Sequence, residues 1–146
     1  MLHQLKDIFI SINHEMLTFQ NESQLMEAFL NQFVMIYTPC DQGTVLALTP
    51  QNTLRVIAQV GYTENLVDHF EIPFEASFIW QDSPGNIYGA HVVNDIHVYV
   101  KNGAQEVSKL ESNKEVASTL VVPIWIDERL KWIFALDSTE NHVYDA

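Results

Sequence analysis

The sequence predicts an α+β domain with a mostly antiparallel sheet of about five or six strands, helices packed on it and two helices at the N-terminus. Three observations support this fold class. Residues 1–37 carry apolar side chains at helical spacing, two pairs of β-rich runs are each joined by a short turn, and the region between the pairs has short helical and loop signals. The 146 residues suit a single domain, which we expect to span 1–146.

The first helix is predicted over residues 1–19. Its apolar residues are three or four positions apart and form a narrow seam, made of Leu2, Leu5, Phe9, Ile12, Met16 and Phe19. A narrow seam suits another helix better than a sheet, so the partner is either the next helix or the same helix of a second subunit. In the second case Leu5, Phe9, Ile12 and Met16 form the contact of a homodimer.

The second helix is predicted to begin after Asn21, because Gln24 follows three residues later as in an imperfect capping box. A broad apolar face then continues to Tyr37. The helix should end at Thr38, because Pro39 disfavours helical geometry in the residue before it.

Two hairpins are predicted from β-rich runs. The first joins residues 44–49 to residues 54–60 through a Pro-Gln-Asn turn. The second joins residues 117–126 to residues 130–137 through Asp127-Glu128-Arg129. Residues 117–126 are apolar at almost every position, which is typical of a strand covered on both faces.

Shorter elements are predicted between the hairpins. In order they are a helix over residues 63–69, a strand over 70–74, a helix capped by Ser77, a strand over 91–94 and a helix over 104–112.

Charge and composition exclude several function classes. Seven Lys and Arg residues against nineteen Asp and Glu residues give a formal charge of −12, which disfavours nucleic acid and anionic membrane surfaces as partners. Neither a secretory signal nor a membrane-spanning segment is recognisable, so we expect a cytoplasmic protein. The single cysteine, Cys40, excludes an internal disulfide and a thiolate metal cage.

Few residues suggest catalysis or a cofactor. Cys40 has no neighbouring feature that would lower the pKa of its thiol, so a buried, inert thiol is the favoured interpretation. Asp95 and His97, with His91 nearby, could supply three metal ligands, but no close His or Cys pair sets a coordination geometry. We therefore expect no metal, no cofactor and no catalytic residue in this chain.

Five phrases, in this order and spacing, resemble the GAF family of small-molecule-sensing and regulatory domains. They are Gln59-Val60-Gly61-Tyr62, residues 91–96 with an apolar strand that ends in Asn94-Asp95, residues 118–124 with Ser at the start and Val-Pro near the end, Phe134-Ala135-Leu136-Asp137-Ser138, and Val143-Tyr144-Asp145. The resemblance covers nearly the whole chain and implies a GAF-like fold, with the related PAS fold as the structural alternative. Trp132 departs from the family pattern, where a glycine is common.

The resemblance also implies a ligand cavity between the middle segment and one sheet face. Aromatic walls and a few polar groups would line it, from the set Phe70, Phe74, Phe78, Trp80, Tyr88, Asn94, Asp95, Tyr99, Ser118 and Thr119. Apolar side chains that simply cover the sheet are the competing interpretation. The family's closing helix would begin near Ala146, so we expect a fragment of a larger bacterial signalling protein with a cyclase, kinase or transcription-activating output domain downstream.

Three functional hypotheses follow. The first is a non-enzymatic sensor that binds a small molecule and signals through rearrangement of helices and of a dimer. The second is a ligand-free dimerisation or interaction module whose cavity is filled by Trp80 and Trp132. The third is an enzyme of the branch that reduces free methionine sulfoxide, which the presence of one cysteine disfavours.

Overall fold

The protein folds around one antiparallel sheet. The computed structural model describes residues 21–36, 40–82, 87–94, 96, 116–140 and 144. Its elements are helix α1 (Glu22–Ile36), strands β1 (Gln42–Leu48) and β2 (Thr53–Val60), helix α2 (Leu66–His69), strand β3 (Glu71–Pro73), a 3₁₀ turn (Phe74–Ala76), helix α3 (Phe78–Asp82), and strands β4 (His91–Val93), β5 (Ser118–Ile126) and β6 (Arg129–Ser138). The six strands lie in the order β3-β2-β1-β6-β5-β4, and all neighbours are antiparallel. The predicted fold class is confirmed.

Helix α1 begins as its sequence predicts, and its predicted end at Thr38 lies outside the described residues. The Asn21 side-chain oxygen accepts a hydrogen bond from the Gln24 backbone N–H at 2.9 Å, which satisfies one of the free donors at the helix start. The buried residues recur at helical spacing along one face, and they are Leu25, Met26, Phe29, Leu30 and Phe33. This face packs on the sheet and buries one side of it.

Both predicted hairpins are present. In the first, Asn52 adopts a positive φ of 62°, which an asparagine tolerates better than most residues. In the second, Ile126 pairs with Arg129, so the turn contains only Asp127 and Glu128, at φ 50° and 64°. Two residues with positive φ match the right-handed twist of the flanking strands. Arg129 therefore belongs to β6 rather than to the predicted three-residue turn.

The two sheet faces carry separate apolar layers. The helix-side layer, between α1 and the sheet, consists of Leu25, Met26, Phe29, Leu30, Phe33, Cys40, Val45, Ile57, Ala58, Leu120, Val122, Trp132, Phe134, Leu136 and Tyr144. The far-side layer consists of Leu46, Leu54, Val56, Leu66, Phe70, Ile72, Phe74, Ile79, Ile87, Val93, Ile96, Val116, Val121, Leu130 and Ile133.

Trp132 and Trp80 lie on opposite faces of the sheet. Trp132 is in the helix-side layer, and its indole N–H donates to the carboxylate of Glu22 at the start of α1. Trp80 packs against the far-side layer. The expectation that both tryptophans fill one cavity is therefore wrong, because the sheet separates them.

Some boundaries differ from the predicted ones for local reasons. Helix α2 begins at Leu66 rather than at residue 63, because the Gln59 side-chain oxygen accepts hydrogen bonds from the N–H groups of Leu66 and Val67 at 2.7 and 3.2 Å. Helix α3 has the predicted cap, in which the Ser77 hydroxyl accepts from the Trp80 N–H at 3.2 Å. The predicted helices over residues 1–19 and 104–112 lie outside the described residues.

The helices that the structure describes are all short or amphipathic. None of them has the length and apolar character that crossing a membrane requires.

Candidate functional site

An open groove lies on the far side of the sheet, at the end where the two hairpin turns meet. Its volume is about 510 Å³, within the range of about 300–1,000 Å³ that small-molecule sites occupy. Both hairpins, the 3₁₀ turn, α3 and the residues before β4 contribute to the lining: Leu48, Thr49, Pro50, Phe74, Trp80, Ile87, Tyr88, Trp125, Glu128, Arg129 and Leu130.

Two aromatic pairs form part of the walls. Phe74 and Trp80 meet edge to face, with ring centroids 5.3 Å apart and an angle of 67°. Tyr88 and Trp125 stack at 5.1 Å and 20°. Both arrangements are favourable for aromatic rings, yet Tyr88 remains 68% exposed and Trp125 37% exposed. The groove thus presents ring surface that the described residues leave open to solvent.

Hydrogen bonds to backbone carbonyl groups hold both walls in place. The Phe74 N–H donates to the Asn52 carbonyl at 3.0 Å, which ties the 3₁₀ turn to the first hairpin. The Trp125 indole N–H donates to the Ile87 carbonyl at 2.8 Å, which ties the second hairpin to the segment before β4. The walls therefore belong to a preformed surface, which lowers the entropic cost of binding.

Two charged residues also border the groove. Glu128 and Arg129 are exposed lining residues at the turn between β5 and β6. Neither has an ion-pair partner within the part of the chain that the structure describes. Trp125 pairs with Leu130 on the groove side, however, so the side chain of Arg129 lies on the opposite face of its strand.

A row of polar side chains lies on the far side of the sheet, at the end opposite to the groove. Gln42 on β1 pairs in register with Asp137 on β6, which pairs with Thr119 on β5, so the three form a row across the central strands. All three are buried, and the Tyr62 hydroxyl donates to the Asp137 carboxylate at 2.5 Å. This row stabilises the junction of the strands with the turn after β2.

Three of the predicted ligand residues, Phe74, Trp80 and Tyr88, line the groove. Phe70 is buried in the far-side layer and does not line it. Asn94 lies half-buried just after β4, also away from the groove lining, and Phe78 is the first residue of α3.

Ser118 and Thr119 are buried in the sheet rather than at the groove. The Ser118 hydroxyl donates to the Glu140 carbonyl at 2.6 Å, and the Thr119 hydroxyl donates to the Leu136 carbonyl at 3.2 Å. Both hydroxyls therefore stabilise the hairpin of β5 and β6 and the residues that follow it. Asp95 and Tyr99 lie outside the described residues, as do the predicted dimer residues Leu5, Phe9, Ile12 and Met16.

Sequence reasoning missed the groove residues from the hairpins. Thr49, Trp125 and Arg129 were interpreted only as parts of strands and turns. One signal could have indicated Trp125, since a large aromatic side chain beside a charged turn at a strand end is poorly placed to enter a core. A comparable signal exists for Asp137, whose alternation puts a carboxylate on the same face as the buried Ile133 and Ala135.

Cys40 is remote from the groove. It belongs to the helix-side layer, and its thiol donates to the Gln42 carbonyl at 2.9 Å. Burial, reinforced by the negative charge of Asp137, raises the pKa of the Cys40 thiol from 9.0 to about 12. The Tyr144 hydroxyl, which donates to the Leu136 carbonyl, also has a raised pKa, because of burial and then because of Cys40. Both groups are held in their neutral forms.

Metal ligation finds little support among the described residues. They contain no group of three or more His, Cys, Asp or Glu side chains that could hold a metal ion. His91 instead contacts the Asp82 carboxylate at 3.8 Å and its ring Nδ1 lies 3.0 Å from the Gly89 carbonyl. His97 and Asp95 lie outside the described residues.

The architecture is that of an α+β domain in which an antiparallel sheet carries a helix on one face and a ligand-sized concavity on the other. No protein-family model matches the sequence, and the curated proteins give no match either. Solved structures do match, and they have the GAF fold. The predicted GAF-like fold is therefore confirmed.

Three of these structures illustrate the similarity. The GAF domain of a phosphoenolpyruvate-protein phosphotransferase from Coxiella burnetii has a TM-score of 0.74 and 16% identity, covering 96% of this chain and 80% of that one. The phycoerythrobilin-bound GAF domain of a cyanobacterial phytochrome has a TM-score of 0.68 and 11% identity, and the match covers 97% of this chain and 85% of that one. Free methionine-R-sulfoxide reductase from Neisseria meningitidis, in complex with its substrate, has a TM-score of 0.65 and 15% identity, and the match covers 96% of this chain and 76% of that one. The fold thus occurs both in a phycoerythrobilin-bound domain and in a reductase.

Proposed function

We propose that this chain is a sensory or regulatory GAF-type domain that binds a small molecule in the far-side groove. The groove itself carries this proposal. The groove is a concavity of about 510 Å³ with aromatic walls and a few polar groups. Hydrogen bonds to backbone carbonyl groups hold these walls in place. Sites for small molecules combine these properties. The bound chromophore of the phytochrome domain is an example of small-molecule binding on the same fold.

A non-enzymatic role is part of the proposal. The reductase structures raise the alternative of thiol chemistry on this fold. The chain has one cysteine, however, and that thiol is 5% exposed, has a raised pKa and lies across the sheet from the groove. A nucleophilic thiol needs the thiolate form and access to its substrate. Both conditions are poorly met at Cys40.

Signalling would pass through the helices. Ligand binding under the middle segment would change the packing of the N-terminal helix, whose seam Leu5, Phe9, Ile12 and Met16 we propose as a homodimer contact. A downstream output domain in a bacterial cytoplasmic protein would receive the change. A ligand can shift such an equilibrium only by its differential affinity for the two arrangements. Dilution experiments on Phe9→Glu and Ile12→Glu test the contact, since variants as dimeric as the parent would exclude it.

The groove is tested by thermal unfolding of the parent chain with a collection of common metabolites, followed by native mass spectrometry of each hit. A ligand at a hundred times its Kd should raise the free energy of unfolding by about 2.7 kcal/mol, which corresponds to roughly 5–10 °C in Tm for a chain of this size. Tyr88→Ala should weaken the effect, since Tyr88 is an exposed wall residue whose loss the fold tolerates.

The matched control is Met35→Ala. Met35 is 83% exposed on α1, on the other side of the sheet, and should respond to a ligand as the parent does. Binding in this groove is excluded if no compound of the collection stabilises the parent. It is also excluded if a hit stabilises Tyr88→Ala as strongly as the parent.

A dimerisation or interaction module is the second candidate. The exposed, stacked side chains of Tyr88 and Trp125 favour it, because clustered apolar side chains on a surface often contact another protein. An unliganded dimer in native mass spectra, whose dissociation constant rises in Tyr88→Ala, would support this candidate over the sensor.

A further inference from the structure

We propose that the groove binds a quaternary ammonium group, of the kind that choline and other trimethylammonium compounds carry. This inference rests on the proposed function and specifies the chemical class of the ligand. Three features support it together, namely the open ring surface of the lining, the hydrogen-bonding groups that are already engaged, and the charge of the chain.

Open aromatic surface is the first feature. Phe74, Trp80, Tyr88 and Trp125 all line the one groove. Stacking covers one face of each ring in a pair, yet Tyr88 remains 68% exposed and Trp125 37% exposed. The face of an aromatic ring carries negative charge density, which attracts a cation placed within about 6 Å of its centre. The lining therefore offers ring surface that a cationic ligand can contact.

The second feature is that polar groups of the lining are already engaged. The Trp125 indole N–H donates to the Ile87 carbonyl at 2.8 Å, and the Thr49 hydroxyl lies 2.6 Å from the Thr53 hydroxyl. Several other lining side chains are apolar: Leu48, Pro50, Ile87 and Leu130. A primary ammonium group would give up hydrogen bonds to water that these side chains cannot replace. A quaternary ammonium group has no N–H and presents methyl groups, so it loses less.

Charge is the third feature. The chain carries −12, and an excess of one sign attracts small ions of the other. Trp125 pairs with Leu130 on the groove side, so the Arg129 side chain lies on the opposite face of its strand. Glu128 is an exposed carboxylate in the lining. These charges favour a cation over an anion, and a neutral flat ring would gain nothing from them.

The test compares choline with three compounds that each lack one of its properties. The isostere 3,3-dimethylbutan-1-ol keeps the shape without the charge, ethanolamine keeps the charge without the methyl groups, and indole is a flat neutral ring. Binding of each compound to the parent chain is measured by calorimetry. We expect choline to bind at least about fivefold more tightly than any of the three.

Two variants of Tyr88 test whether a ring face holds the cation. Tyr88→Leu keeps an apolar side chain and removes the ring, so it should weaken choline about fivefold and leave 3,3-dimethylbutan-1-ol within about twofold. Tyr88→Phe keeps the ring and should bind choline within about twofold of the parent. Because Tyr88 is largely exposed, both variants should keep the parent's circular dichroism and Tm. Met35→Ala, across the sheet, is the control and should bind choline as the parent does.

Vesicles of phosphatidylcholine distinguish two sources of the group. Sedimentation of the chain with the vesicles would assign the site to a lipid head group. Choline binding without sedimentation would assign it to a free solute, and either result supports the ligand class.

The outcomes separate this inference from the proposed function. The ligand class is wrong if neither choline nor the vesicles bind, if any of the three comparison compounds binds as tightly as choline, or if Tyr88→Leu binds choline as the parent does. The proposed function would still stand if another metabolite stabilises the parent and loses that effect in Tyr88→Ala. It fails with the inference only if no compound of either set binds.

Discussion

Cys40 should be almost inert toward alkylation while the chain is folded. Its thiol is buried, donates to the Gln42 carbonyl and has a pKa raised from 9.0 to about 12. At pH 8 a thiol with a pKa of 9.0 is about one-tenth thiolate, whereas Cys40 should be about one part in ten thousand. Since the thiolate is the nucleophile, the folded chain should react about a thousandfold more slowly than the unfolded chain.

The assay is labelling with iodoacetamide at pH 8, followed by intact mass, in buffer and in denaturant. Cys40→Ala is the control, because it removes the only cysteine and should gain no label. Below the pH of unfolding, the folded rate should rise about tenfold per pH unit, as expected for a group far below its pKa. A folded rate within tenfold of the unfolded one, or a plateau near pH 9, would refute the reasoning and restore thiol chemistry as a candidate function.

Three further predictions concern stability, all measured by urea unfolding followed by tryptophan fluorescence. Above pH 9 the thiol of the unfolded chain loses its proton, while folded Cys40 keeps its proton up to about pH 12. The free energy of unfolding should therefore fall by about 1.4 kcal/mol per pH unit in that window, and the raised pKa of Tyr144 acts in the same direction. An unchanged slope in Cys40→Ala would contradict the contribution of the cysteine. Gly61→Ala should cost about 2–4 kcal/mol, because Gly61 has φ +81° and a Cβ there would lie 2.5 Å from the Asp41 carbonyl oxygen. Its control, Gly89→Ala, has nothing within 4 Å of the added carbon and should change stability by less than about 0.5 kcal/mol; equal effects of the two would be inconsistent with this account. Tyr62→Phe removes the hydroxyl that donates to buried Asp137 and should cost about 1–3 kcal/mol, so a loss below about 0.5 kcal/mol would show that this hydrogen bond contributes little.

The secondary structure could be predicted where local patterns and turn chemistry agree. Asn21 and Gln24 mark the start of α1, and the Ser77 hydroxyl caps α3, because a short polar side chain reaches backbone N–H groups only two or three residues away. The hairpin strands followed in the same way from β-rich runs around turns. Helix α2 was shorter than predicted because Gln59, on a neighbouring strand, caps its start at Leu66.

The candidate site was only partly predictable. Phe74, Trp80 and Tyr88 were expected at a cavity because they are aromatic residues of the loop-rich middle, and they line the groove. Trp125 and Arg129 could not be assigned to it from the sequence. Their place at the groove depends on how closely the second hairpin approaches the segment before β4.

Charge, the single cysteine and the order of the two hairpins along the chain are properties of the sequence and its local chemistry, so they could be understood without coordinates. The seam over residues 1–19 stays a prediction. The division of aromatic residues between the two sheet faces could not be understood from the sequence alone. Trp132 and Trp80 look equivalent as sequence, yet one packs under α1 and the other borders the groove. Which face a side chain occupies depends on strand register and bulges, and these are set by contacts between residues far apart in the chain. For that reason the groove, and the chemistry we infer for it, emerge only when the two hairpins and the middle segment pack together.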